Sequence, residues 1–170
     1  MDTYLAVASK RDWRSYADRP VPVDVQRRIV DAGRLSGSAN NRQPWRFVVV
    51  EDEQWRQALA PTVYAPRNIE TAAFAVAIVT EGGRRPFDVG RAAQNMMLAA
   101  WNDGVVSCPN GMPDPAATAD ALGLEGDLSP LIVISFGYPR RDSAPESRSA
   151  DDWSVEANRL PLDEVLVRRR

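Results

Sequence analysis

The sequence contains no histidine. That absence removes Ser-His-Asp triads, Cys-His pairs and His-ligated zinc from the chemistry open to the chain. Its one cysteine, Cys108, can form neither an intrachain disulfide nor a cysteine-cluster metal site, so no metal site is expected and a reducing cytoplasm is. No apolar run approaches the length of a membrane span. The opening "MDTYLAVASKRD" has no basic segment followed by an apolar one, so neither export nor membrane association is expected. Neither G-x-G-x-x-G nor the Walker A pattern occurs, which leaves dinucleotides and nucleoside triphosphates without their usual cradles. A net charge of −2 gives no general attraction to nucleic acid. If the chain is an enzyme, a bound cofactor brings the reactive atoms.

What is present fits a globular protein: 170 residues, 44% apolar and 26% charged, enough for one domain over 1–170. Thr3 to Lys10 reads as a short helix capped by Asp2 or Thr3. After Pro20 and Pro22, the spacing of Val25, Ile29 and Ala32 predicts a helix that Gly37 stops. Strands are expected at Phe47–Val50, Ala72–Thr80, Val105–Ser107 and Leu131–Pro139. Helices are expected at Asp52–Ala60, Asp88–Asn102 and Pro115–Leu122. The Asp88–Asn102 helix is apolar nearly all round and carries Gly90, Ala92, Ala93, Ala99 and Ala100, which permit close approach of another helix. Strands alternating with helices give an α/β or α+β class with a mixed sheet. Residues 140–170 are polar, with little periodicity. They read either as a disordered tail or as an arm over the body or a second subunit, anchored by Trp153, Leu160, Leu162 and Val165.

Two clusters carry chemistry. Ser36–Gln43, "SGSANNRQ", offers hydroxyls and amides in several directions, with Gly37 permitting close backbone approach. Pro44 favours an extended Gln43. This chemistry suits a flat, neutral heterocycle edged with carbonyls and ring nitrogens; it also serves an ordinary turn. "KRDWR" places Lys10, Arg11 and Arg14 within five residues, a set that can hold a phosphate or be a solvated basic face. Together the clusters point to flavin mononucleotide (FMN).

The order of these motifs resembles the nitroreductase family of FMN-dependent homodimeric flavoproteins, over nearly the whole chain. The resemblance rests on "KRDWR", "RPVPVDV", and Ser38, Asn41, Gln43, Pro44 and Trp45 as an S-x-x-N-x-Q-P-W loop, followed by "RFVVV". It continues through "GRAAQNMMLAA", "GVVSCPNGM", "VISFGYP" and "NRLPLDEV". It implies an α+β sandwich with a mostly antiparallel sheet flanked by helices. It also implies an intertwined homodimer with FMN at the interface and the long helix at the seam. One subunit would offer Lys10, Arg11, Arg14 and Arg159 to the phosphate and ribityl chain, and Pro109, Asn110 and Gly111 to the ring. The other would offer Gly37, Ser38, Ala39, Asn41 and Gln43. NAD(P)H would reduce the flavin, and a nitroaromatic, quinone or enone would reoxidise it in a ping-pong reaction in which no side chain is a nucleophile.

Two positions depart from the family pattern. Asp12 stands among the phosphate-side residues where the family has serine, and Ala157 stands where its arm often has lysine. Asp12 is unfavourable beside a phosphate unless it pairs with an arginine or turns away. These departures keep two further readings open: a non-catalytic flavin- or ligand-binding protein of the same fold, and a deazaflavin-dependent reductase. Cys108 reads as a small buried group rather than a redox centre.

Overall fold

In "FAVAIVT" large side chains alternate with alanine, so the two faces of this strand can pack different layers. A computed structural model, which describes residues 1–83, 85–141 and 144–169, places this strand inside a four-stranded sheet. The strands are β1 (Trp45–Val50), β2 (Phe74–Thr80), β3 (Val106–Asn110) and β4 (Ser129–Gly137). Their order is β1-β2-β4-β3, and every pairing is antiparallel. The mixed sheet that the alternation of elements left open does not form. β4 inserts between β2 and β3, so these consecutive strands never pair in parallel.

The helices are α1 (Thr3–Ser9), α2 (Val23–Arg34), α3 (Glu53–Leu59), α4 (Pro66–Glu70), α5 (Pro86–Asn102), α6 (Pro115–Ala121), α7 (Ala150–Glu156) and α8 (Leu162–Val165). The chain divides into two compact units: Arg11–Ser143, and Met1–Lys10 with Ala144–Arg170.

In the larger unit, Phe74, Val76 and Ile78 pack with Ile29 of α2 and Val89, Ala92 and Met96 of α5. Ala75, Ala77 and Val79 pack on the other face with Leu59 of α3, Ile69 of α4 and Leu122 after α6. Each fully buried large aliphatic side chain here contributes about 1.5–3 kcal/mol. Gly33 is where α2 meets α5: a Cβ there would lie 2.7 Å from Met96 Cγ. Three of the small residues of α5, Ala92, Ala93 and Ala100, are buried within this chain, while Gly90 faces open space. α2 ends at Arg34, with Leu35 as its C-cap. Gly37 is therefore not the helix stop; it belongs to the loop that follows.

In the smaller unit, Asp2 caps α1, its carboxylate accepting from Leu5 N–H at 3.0 Å. α7 packs on α1 and opens with a capping box between Ser149 and Asp152. The Ser149 hydroxyl, donating to the Asp152 carboxylate, holds that group's pKa below the usual value. Trp153 is half-buried and donates from Nε1 to Pro145 O at 2.8 Å. The other three expected anchors, Leu160, Leu162 and Val165, are exposed. Of the tail, Asp142, Ser143 and Arg170 lie outside the described residues.

Candidate cofactor site

The loop between α2 and β1 is built on strained backbone. Asn40, Asn41 and Gln43 have φ of 52°, 53° and 49°, the left-handed region. This costs most residues roughly 1–2 kcal/mol each, and asparagine less. Gln43 is thus not extended as Pro44 led us to expect. The reason is local: the Ser38 hydroxyl accepts from Gln43 N–H at 2.8 Å, and the Gln43 amide donates to Asn41 O and Oδ1 at 3.3 Å. These bonds turn the chain back on itself. The loop leans on the first turns of α5. Asn95 Nδ2 donates to Ser36 Oγ at 2.7 Å. The carboxylate of Asp88, itself buried, lies 3.4 and 3.5 Å from Ala39 N. A Cβ at Gly37 would lie 2.6 Å from Arg91 Nη2. Gly37, Ala39, Asn41 and Gln43 are exposed and Ser38 is half-buried, so the loop presents its polar edge to solvent.

The basic segment sits at the other edge of the sheet. Asp12 forms a parallel bridge with Ser107, and Trp13 N–H donates to Ser107 O at 3.0 Å. Arg11 and Arg14 are thereby held beside β3. Asp12 and Arg14 are exposed and Arg11 is half-buried. β3 runs further than expected. Pro109 and Asn110 are its last two residues, and Gly111 alone of that trio lies beyond the strand. Lys10 and Arg159 belong to the smaller unit, where Lys10 caps α1 and Arg159 is exposed between α7 and α8.

Beneath β3 lies a buried polar chain that sequence reading missed. Asn68 Nδ2 donates to Asn110 Oδ1 at 2.7 Å. Asn110 Nδ2 lies 2.9 Å from Cys108 O, 3.2 Å from Val133 O and 3.1 Å from Ser135 Oγ. The Ser135 and Tyr16 hydroxyls are 2.7 Å apart. Tyr16 also donates to Trp13 O at 2.9 Å. Burial pushes the Tyr16 phenol well above its ordinary pKa of 10.0, and the Ser135 hydrogen bond only partly opposes this. The Asn110 side chain therefore faces the core, and its main chain is what remains for a ligand. Above it, Tyr64 N–H donates to Gly111 O at 3.0 Å, while the Tyr64 ring is exposed. The available signals were weak. α4 is too short for periodicity, and only Pro66 at its first turn marked it.

The strand register fixes how far apart the two clusters are. Trp45, which follows the loop, is level with Thr80 and Ser129. Ser107, beside the basic segment, is level with Phe136 and Phe74. Three interstrand steps and six residues of strand separate them, roughly 14 Å across and roughly 20 Å along. One chain brings Arg11, Asp12 and Arg14 together with Pro109, Asn110 and Gly111. It brings Gly37, Ser38, Ala39, Asn41 and Gln43 together at the corner diagonal to the basic segment, while Asn110, level with Val133, Ala77 and Val48, lies on the far edge only three residues along from Trp45.

The model of the nitroreductase family matches residues 7–83 and 80–138, a span that includes both clusters but not Arg159. The chain is 26% identical over 157 residues to a protein of Archaeoglobus fulgidus named "Putative NADH dehydrogenase/NAD(P)H nitroreductase", covering 86% of this chain and 89% of that one. It is 24% identical over 209 residues to an NADH dehydrogenase of Thermus thermophilus, covering 99% and 97%. Among solved structures, a "putative nitroreductase in complex with FMN" from Desulfovibrio desulfuricans superposes with a TM-score of 0.82 at 25% identity, covering 100% and 98%. A nitroreductase family protein from Clostridium difficile 630 gives 0.81 at 23%, covering 98% of each chain. With this fold and these motifs in this order, the chain belongs to the nitroreductase family.

Proposed function

We propose that the chain is an FMN-dependent oxidoreductase that passes hydride from NAD(P)H to a small organic acceptor of the nitroaromatic, quinone or enone class. We place its flavin sites between two copies of the chain. The observation that carries this reading is the diagonal separation of the two clusters. A two-fold axis sets the corner of one chain against the opposite corner of its partner, and does so twice. The exposed apolar residues Tyr4, Val7, Leu160, Leu162 and Val165 of the smaller unit support a covering partner.

The residues present fit FMN. Ser107 Oγ is buried and has no hydrogen-bond partner among the described residues, beside a segment carrying Arg11 and Arg14. A buried orphan hydroxyl marks a place where a polar partner belongs. When bound, FMN would supply the redox chemistry that links NAD(P)H to the acceptor. The chain's own work is binding and orientation. Arg11 and Arg14 hold the phosphate through charge-assisted hydrogen bonds, each worth about 1.5–3 kcal/mol. Asp12 is exposed, which fits a side chain turned away from that phosphate. The Asn41 and Gln43 amides and the Ser38 hydroxyl of the second chain meet the polar edge of the ring. The Gly111 main chain meets it from the first chain, and donors there stabilise the charge of the reduced ring. Arm residues 144–169 reach over the partner.

The test is the visible spectrum of the purified protein before and after anaerobic NAD(P)H. A yellow protein that bleaches, and recovers colour with an acceptor, supports the reading. A yellow protein that does not bleach with NADH or NADPH favours the non-catalytic alternative. A protein that stays colourless after FMN is added overturns FMN as the cofactor.

A further inference from the structure

Asn110 has only one way to satisfy its amide. The carbonyl oxygens of Cys108 and Val133, at 2.9 and 3.2 Å, accept and cannot donate, so Nδ2 must face them. Oδ1 then faces Asn68, and position 68 must supply a donor, which it does at 2.7 Å. Both side chains are 4% exposed and sit with the buried Ser135 and Cys108 against the apolar layer that holds Ala75, Ala77, Ile69 and Val133. A pair of apolar residues would fill this space without the cost of desolvating two amides. What the pair adds is a fixed geometry. The same short segment grips the next residue as well, through Tyr64 N–H to Gly111 O at 3.0 Å.

We propose that the segment Tyr64–Asn68 is a clamp on the end of β3, and that Asn68 is a positioning residue which, through Asn110, sets the Gly111 main chain against the flavin ring. This rests on the reading that Gly111 borders the flavin. Asn68 touches no ligand itself. Its influence is on where the main-chain donor sits, and so on how the site discriminates between oxidised and reduced flavin. The grip on the phosphate lies elsewhere, at Arg11 and Arg14.

The test uses the full chain loaded with FMN and compares wild type, Asn68→Leu and Thr118→Val. Thr118 is a control: it is buried, and its hydroxyl bonds to Thr62 and to Asp114 O rather than to Asn68, Asn110 or Gly111. The readouts are FMN affinity by fluorescence, the visible spectrum and the midpoint potential. Asn68→Leu is expected to keep the affinity for oxidised FMN within about threefold. It should change the ratio of affinities for reduced and oxidised FMN roughly tenfold, the effect of misplacing one hydrogen bond. Thr118→Val should move neither the spectrum nor the potential. An Asn68→Leu protein with the wild-type spectrum and potential overturns the proposal, as does an equal change in Thr118→Val. Where Asn68→Leu does not fold, Asn68→Ala, which removes the same donor to Asn110 Oδ1, is read by the same two outcomes. Wild-type protein that binds no FMN overturns both this proposal and the functional reading. Wild type that binds FMN beside an unaltered Asn68→Leu overturns this proposal alone.

Discussion

The two corners of the sheet hold their candidate ligand groups by opposite means. At the β1 corner, the loop Gly37–Gln43 is strained, largely exposed and tied by hydrogen bonds at its surface. At the β3 edge, Pro109–Gly111 is relaxed strand and its exit, backed by a buried polar chain from Asn68 to Tyr16. The first arrangement can open without disturbing the core. The second cannot move unless buried amides lose their partners. A site built from both has one rigid wall and one adjustable wall.

Three substitutions sharpen this contrast. The largest effect is expected from Asn110→Ala, which strips partners from Asn68 and Ser135 in a buried layer. It should cost about 2–4 kcal/mol, seen as a lower urea midpoint at an unchanged slope. Tyr16→Phe should cost less, about 1–2 kcal/mol. It also carries a pH signature. In the folded protein burial raises the Tyr16 pKa, so the native state keeps a proton that the unfolded chain releases above 10.0. That stabilisation is complete below this value and is lost as pH rises beyond it, so wild type should show an alkaline decline that Tyr16→Phe lacks. The smallest effect on global stability is expected from Ser38→Ala, under about 0.5 kcal/mol. Amide exchange at Gln43 should nevertheless quicken, because its N–H loses its acceptor. A global loss in Ser38→Ala as large as that of Asn110→Ala would erase the distinction between the two walls.

Much of the frame was legible in the sequence because it follows from local pattern. β1, β2 and β4 appear as apolar runs, and Asp2 and Asp52 cap the helices that follow them. The family order of "KRDWR", the Ser38–Trp45 loop and "CPNG" located both clusters. What was not legible depends on contacts distant in sequence. The antiparallel order arises because β4 inserts, which no local pattern encodes. The left-handed Gln43 is imposed by Ser38, against the preference set by Pro44. The inward turn of Asn110 is decided by Asn68 and Ser135, which lie 42 and 25 residues away.

The central claim is that each flavin site takes one corner from each chain. It is tested most directly by a mixed dimer of one Arg14→Ala chain and one Asn41→Ala chain, separated by different tags. Each variant alone should bind FMN roughly tenfold more weakly than wild type, the loss of about one hydrogen bond. In the mixed dimer one site receives both defects and the other receives neither. The account predicts one FMN per dimer bound with wild-type affinity. A mixed dimer with no site of wild-type affinity would show that both residues serve the site from the same chain, and would contradict it.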